Sequence, residues 1–417
     1  MNISQLSIWI RNEVRCLYSE NYSRCKLKLQ LVRRGNILYS VCMKTGTADL
    51  PLHYGKAPRW LFSRMRALAG KIAEAVILEY GPTGFLQRLS DPYWFQALGC
   101  VLGFDWHSSG LTTTTCGAIK EGIKGEEEAL GLFVAGGKGA TSRKTPTEIA
   151  VWGDRTGVDA DRLIYASRTA AKVDSAAIQD GYGIYHHAFF FDREGNWAVV
   201  QQGMNEKTRM ARRYHWFSRA VSSFVCEPHT AICCDVRAPS LNLVAKNSAN
   251  TRETSAKIAR EKPVRIVEEL VRLKRVTLPH RHTVMLSDID PKRLSRIFLK
   301  TYTVQPQGFE ALLTTPGVGA KTLRALSLIA ELVYGAAPSF TDPARYSFAH
   351  GGKDGTPYPV DRETYDRSIE IISRAIRRAK LGKPEELRAL RRLERVFNLP
   401  GSPPRAGSGP HPPAASG

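Results

Sequence analysis

Asp105 and His107 sit two residues apart in Phe104-Asp105-Trp106-His107-Ser108-Ser109, so on an extended strand both side chains point to one face. An Asp and a His so placed can act as two metal ligands, or as a ligand and a base that activates water. A strand end carrying a satisfied polar pair is the plainer reading of the same residues. A second group lies in Tyr182 to Gln202, where an aromatic and β-branched run, Tyr185 to Phe191, meets the turn Asp192-Arg193-Glu194-Gly195-Asn196 and returns from Trp197. This hairpin sets His186 and His187 on opposite faces, Asp192 and Glu194 at its tip, and Gln201 and Gln202 on the return strand.

Metal-dependent nucleases place an acidic residue on one strand and a Glu or Gln on the next, so that both hold Mg²⁺ or Mn²⁺ beside the scissile phosphate. On that reading Asp105, His107, His186, Asp192 and Gln202 are the catalytic candidates, with Asp105 and Asp192 as metal ligands. The Asp…Glu-x-Lys pattern is incomplete, and Asp192 and Glu194 are equally suited to forming a turn.

Three further groups carry cations or thiols. Gly136-Gly137-Lys138-Gly139-Ala140-Thr141-Ser142-Arg143-Lys144 offers backbone amides and the cations Lys138, Arg143 and Lys144 to a phosphate. It lacks the Gly, Lys and Ser/Thr spacing of a nucleotide-hydrolysing loop. Arg209, Arg212 and Arg213 form a basic run suited to clamping phosphate or to a solvated helix face. Cys226, His229, Cys233 and Cys234 match no paired zinc spacing, and the adjacent cysteines point to opposite sides of any strand that holds them.

The most specific signal is Thr315-Pro316-Gly317-Val318-Gly319-Ala320-Lys321-Thr322, which reads as a helix-hairpin-helix. Phe309 to Leu313 is the entering helix and Pro316 to Gly319 the turn. Gly317 and Gly319 permit close approach of the backbone to a phosphate. The amides at the start of the next helix form an anion site with its dipole, and Lys321 and Thr322 add a cation and a hydroxyl. Val318, Leu323, Leu326, Ala330 and Val333 pack the turn onto its own domain. Such contacts go to phosphate and carry no base information, which implies DNA binding without sequence preference.

These groups need elements to position them. Trp60 to Tyr80 has helical spacing (Leu61, Met65, Leu68, Ile72, Ala75, Val76), and Ser90-Asp91-Pro92 starts another helix, with Asp91 as cap. Asp290-Pro291 opens a helix carrying Leu294, Ile297 and Leu299, and Lys321 to Tyr334 forms another. Residues 361–380 and 384–397 read as basic helices. The expected class is α+β. Residues 1–42 form an extension ahead of the patterned chain, with Met43 able to serve as a start. Residues 43–260 form a mixed α/β domain, the part expected to be catalytic. Residues 261–280 are a charged connector, 281–397 an all-helical domain with the helix-hairpin-helix, and 398–417 a Gly/Pro/Ser-rich disordered tail.

Sixty Lys and Arg against 39 Asp and Glu leave a net charge of +21, which draws polyanions. No apolar run reaches transmembrane length and no basic-then-apolar signal opens the chain, so DNA is preferred to a membrane as the polyanion. The eight cysteines read as reduced thiols of a cytoplasmic protein. The oligomeric state stays open.

From Met43 to about Gly382 the chain resembles a bacterial and archaeal family known as domain of unknown function 763. The segments that carry the likeness include TGTADLPLHYGKAPRWL, SDPYWFQALGCVLGFDWHSSGLTTTTCGAIKEG, FVAGGKGATSRKTP, YHHAFFFDREGNWAVVQQGMN, ARRYHW and PSFTDPARYSFAHGGKDGTPYPVDR. It implies no settled activity. Locally, Pro316 to Lys321 together with Val360-Asp361 resembles the helix-hairpin-helix DNA glycosylases, which implies a covalent role for Lys321 and charge stabilisation by Asp361. Lys321 and Asp361 are 40 residues apart, wider than in that family, and Arg362 replaces its usual His. The expectation is thus a DNA-processing protein, first a metal-dependent nuclease. A glycosylase or AP lyase using Lys321 and Asp361, and a non-enzymatic DNA-binding adaptor, are the alternatives.

Overall fold

A computed structural model describes residues 30–34, 37–41, 59–104, 110–208, 210–234, 237–273, 290–344, 370–377, 386 and 388–393. The chain divides into two compact units, Met1–Thr45 and Gly46–Gly417. In the first, β1 (Gln30–Arg34) and β2 (Ile37–Val41) pair antiparallel.

The second unit is built around a five-stranded antiparallel sheet in the order β3-β5-β6-β7-β8. Its strands are β3 (Leu132–Lys138), β5 (Gly183–Asp192), β6 (Trp197–Asn205), β7 (Met210–Phe217) and β8 (Ala231–Cys233). Two-residue strands β4 (Ile178–Gln179) and β9 (Leu241–Asn242) pair separately. Strands buried on both faces read as near-continuous apolar runs, and β5 and β6 fit this, with Ala188 to Phe191 and Trp197 to Val200 all buried.

Alternate residues feed two cores. Val134, Ala188, Phe190, Ala198 and Val200 meet α1 (Arg59–Ser90), α2 (Pro92–Leu102), α3 (Gly110–Gly122) and residues 371–376. Phe133, Phe189, Phe191, Val199, Tyr214 and Trp216 face the other way. They meet α4 (Thr145–Thr156), α5 (Ala160–Lys172) and a π-helical turn, Val173–Ala177. The same core continues through α6 (Ala249–Ile258), α7 (Pro263–Leu273), α8 (Pro291–Val304), α9 (Gly308–Thr314) and α10 (Ala320–Tyr334). The fold is α+β, with helices on both faces of one antiparallel sheet.

Several local expectations map directly. The helix expected from Trp60 starts at Arg59 but runs on to Ser90, past a break at Gly81 (φ 74°) and Pro82. Asp91 caps α2 by accepting from the amides of Tyr93 (2.8 Å) and Trp94 (3.2 Å). Other expectations change. Ile266, Leu270 and Leu273 of α7 are core residues, so the described part of the expected connector is an amphipathic helix packed into the molecule. In α8 Leu294 and Phe298 are buried, while Leu299 is exposed; Val333 of α10 is exposed as well. The helices expected at 361–380 and 384–397 fall within the described residues only at 370–377, 386 and 388–393, which are helical; residues 398–417 lie outside.

Candidate functional site

The register of the sheet makes one site out of two groups that are far apart in sequence. Lys138 of β3 pairs with His186 of β5, His186 with Gln202 of β6, Gln202 with Arg213 of β7, and Arg213 with Cys233 of β8. Directly opposed residues lie on the same face with Cβ atoms about 5 Å apart. These five therefore form one polar row across the whole sheet, on the face covered by α1, α2 and α3. It lies at the end where β3 and β6 finish and β5 and β7 begin.

His186 sits between Lys138 and Gln202 in the row. It is 1% exposed, and neither ring nitrogen has a hydrogen-bond partner among the described residues. Burial, with smaller effects from His187 and Lys138, pushes its pKa down to about 3, so the imidazole is neutral. Next to it Tyr185 is the extra residue of a β-bulge between Ile184 and His186. Bulges bend a strand and re-aim its side chains. Gln202 Nε2 donates to the half-buried Tyr185 hydroxyl at 2.6 Å, and burial raises the pKa of that phenol. The exposed Lys138 places Nζ 5.8 Å from the Tyr185 ring centroid.

The end of β3 that carries Lys138 is fixed from both sides. Lys120 Nζ donates to the Gly136 carbonyl (3.0 Å) and to Glu148 Oε2 (2.6 Å), and Glu148 Oε2 accepts from the Gly136 amide (2.8 Å). Gly136 has φ +85°, and a Cβ there would lie 2.3 Å from the His187 carbonyl oxygen, so only glycine fits. The Gly-rich segment is thus a strand end followed by a 3₁₀ turn, Gly139–Lys144, and Arg143 and Lys144 are exposed on that turn.

Arg212 and Arg213 do not serve as the expected phosphate clamp. Both lie in strand β7 rather than on a helix, and both are buried. Arg213 Nη1 donates to Gln96 Oε1 at 2.9 Å and Nε to His215 Nε2 at 2.8 Å, with the guanidinium 4.8 Å over the Phe95 ring. Arg212 faces the other side and bridges Asp180 (2.8 Å) and Asp342 (2.7 Å). Burial alone would lower its pKa; the field of Asp180 and its neighbours outweighs that and keeps it charged. Arg209 lies outside the described residues.

That second face carries its own polar network. Asp174, fully buried in the π-helical turn, accepts from Gln201 Nε2 (2.5 Å) and Trp216 Nε1 (3.0 Å) and contacts His229 Nε2 (2.5 Å). His187 Nε2 lies 2.8 Å from Ser167 Oγ. Cys233 and Cys234 point to opposite faces, toward Arg213 and the Tyr182 hydroxyl respectively. No group of three His, Cys, Asp or Glu side chains is arranged to hold a metal among the described residues.

Asp192 stands at the far end of β5 from His186, six residues away and roughly 20 Å along an extended strand. Its Oδ1 accepts from the amides of Glu194 (3.0 Å) and Asn196 (2.9 Å), and its Oδ2 from Thr83 Oγ1 (2.7 Å) and Asn196 Nδ2 (2.9 Å). The geometry favours the turn-forming role over a metal ligand, because the carboxylate is already saturated with donors. Asp105, His107 and Asp361 lie outside the described residues.

The α9–α10 turn is a separate surface. Gly317 has φ +97°, a region that favours glycine; Gly319 does not, at φ −145°, but among the described residues no atom beyond its chain neighbours lies within 4 Å of where its Cβ would be. Val318 is fully buried and anchors the turn. Helix α10 begins without a side-chain cap, leaving the first-turn amides of Ala320, Lys321 and Thr322 without an acceptor in the helix. Lys321 is exposed beside them, whereas Thr322 is buried, so its hydroxyl is not offered at the surface as expected. Gln179 secures this helix start, donating to the Ala320 carbonyl (2.9 Å) and accepting from Arg324 Nε (2.7 Å).

Gln179, Tyr185 and Asp174 escape sequence reasoning. A bulge, a two-residue strand and a π turn leave no periodic signal, and each residue matters through a partner far along the chain. A family model described as "Protein of unknown function (DUF763)" matches residues 46–360. No curated protein and no solved structure matches the chain.

Proposed function

The chain belongs to the family of unknown function DUF763, and we propose that it is a DNA-binding protein that grips the sugar-phosphate backbone without reading bases. The observation that carries this reading is the turn between α9 and α10. First-turn amides without a side-chain cap, the open space at Gly319 and the exposed Lys321 converge on one spot in a chain of net charge +21. A helix start of this kind attracts an anion through its amides and its dipole together. The absence of a Cβ at Gly319 lets a phosphate approach the backbone closely. On this reading the turn acts as a helix-hairpin-helix. Lys138, Arg143 and Lys144 form a second exposed basic patch that extends the backbone contact.

The nuclease and glycosylase expectations each depend on a carboxylate outside the described residues, Asp105 or Asp361. Backbone binding depends on neither.

The test is fluorescence anisotropy with labelled duplexes of unrelated sequence, titrated over a salt series. Affinity is expected to be the same across sequences and to fall linearly on a log–log plot with salt. Lys321→Ala is expected to reduce that slope by about one. Equal slopes for wild type and Lys321→Ala would remove the α9–α10 turn as the contact.

A further inference from the structure

We infer that the Lys138–His186–Gln202 row, with Tyr185 at its mouth, is a binding site for a phosphate group. It is distinct from the α9–α10 turn and does not depend on the DNA-binding reading. His186 is the first reason. A buried polar atom without a partner is costly, and native interiors rarely leave one so. Here both nitrogens of one imidazole are in that position among the described residues, at 1% exposure. A neutral imidazole presents one N–H donor and one lone pair. Whatever fills the site must therefore accept on one side and donate on the other.

The row decides the charge of that ligand. Its members are Lys138, His186, Gln202, Arg213 and Cys233, with cations on both sides of the imidazole and no carboxylate. A metal cation would meet a field of the wrong sign and no cluster of ligands among the described residues. A phosphate monoester or monoanion with one bound water fits both demands: an anionic oxygen accepts from the imidazole N–H, and the water donates to the nitrogen on the other side of the ring. The Lys138 ammonium supplies the charge-assisted contact.

Access fits as well. His186 lies deep, but its immediate neighbours Lys138 and Tyr185 are exposed and half-buried. The exposed Arg143 and Lys144 follow on the adjoining 3₁₀ turn and raise the local anion concentration. The bulge at Tyr185 places the phenol beside Gln202 instead of within the ladder, so a hydroxyl adds to the polar groups next to His186.

The experiment is a titration of the ¹⁵N-labelled full-length chain with inorganic phosphate, following the histidine ring nitrogens by long-range ¹H–¹⁵N NMR. Chloride at matched ionic strength is the control, and His186→Gln assigns the signals. Phosphate is expected to shift both ring nitrogens of His186. Lys138→Met, an exposed position that leaves the core untouched, is expected to weaken that response about tenfold or more. Lys321→Ala is expected to leave it unchanged, which separates this site from the turn. Ring signals that do not move with phosphate, or that move equally with chloride, would show that no phosphate binds at His186 and overturn the proposal. A full response in Lys138→Met would overturn it too.

Discussion

Arg212 and Asp342, 130 residues apart in sequence, meet at 2.7 Å with both side chains buried, and the same guanidinium holds Asp180 at 2.8 Å. This contact ties the sheet to the segment that follows α10. Its net contribution relative to an apolar replacement is small, but breaking it from one side is not, because two carboxylates would be left buried. Arg212→Ala is expected to cost about 3–5 kcal/mol in urea or thermal unfolding. A loss under about 1 kcal/mol would mean that water enters and solvates Asp180 and Asp342 in the variant.

Arg212 also shows where the sequence stops being legible. Arg209, Arg212 and Arg213 read as a phosphate clamp or a solvated helix face, yet Met210–Phe217 is a strand with every residue after Met210 buried. Nothing local marks Arg212 or Arg213 as interior, because their partners Asp180, Asp342 and Gln96 come from distant segments. Features set by local chemistry read well: the Asp91 cap, the β5–β6 hairpin, the apolar spacing of α1 and the Gly317 turn. The candidate row is the opposite case. Its members at 138, 186, 202 and 213 share a face only through strand pairing, and pairing register is not written in the spacing of any one segment. In α8, periodicity alone selects Leu299, while the helix turns Phe298 inward instead.

Gly317 and Gly319 are expected to respond differently to alanine. Gly317 sits at φ +97°, where any side chain is strained, so Gly317→Ala should lower stability by about 1–2 kcal/mol. Gly319 has ordinary extended angles and, among the described residues, no atom beyond its chain neighbours within 4 Å of a new Cβ, so Gly319→Ala should leave the melting temperature unchanged. It should nonetheless weaken DNA binding, since the added methyl occupies the space a phosphate would use. Anisotropy and calorimetry on the pair decide this; unchanged DNA affinity in Gly319→Ala would place the phosphate elsewhere.

Three buried histidines give the fold an acid limit. Burial lowers the pKa of His186, to about 3, and also those of His187 and His215, with Arg213 adding to the effect at His215. In the unfolded chain they titrate near the ordinary value of about 6.5, so below that pH the unfolded state binds more protons. Their contribution is present in full above about pH 6.5 and is lost as pH falls toward the folded values. The slope approaches about 1.4 kcal/mol per pH unit for a histidine whose folded value lies well below the window, as for His186 and His215. Urea unfolding between pH 6.5 and 5, above most carboxylate titration, measures it. A flat profile there would mean that these imidazoles are solvated.

Asp192 is predicted to matter for the hairpin and not for metal. Its two oxygens accept from the amides of Glu194 and Asn196, the Asn196 side chain and the Thr83 hydroxyl, which ties the β5–β6 turn to α1. Asp192→Asn replaces one acceptor oxygen by a donor and removes the charge that strengthens the remaining bonds. Hydrogen bonds to a charged group contribute about 1.5–3 kcal/mol, so a loss of about 2 kcal/mol is expected, visible as a lower urea midpoint at unchanged slope. Thr83→Val removes only one of the donors and should cost less, about 1 kcal/mol. Calorimetric titration with Mn²⁺ separates the two roles: the variant and the wild type should give the same isotherm. Binding of Mn²⁺ by the wild type that disappears in Asp192→Asn, with stability unchanged, would restore Asp192 as a metal ligand and make the turn contacts incidental.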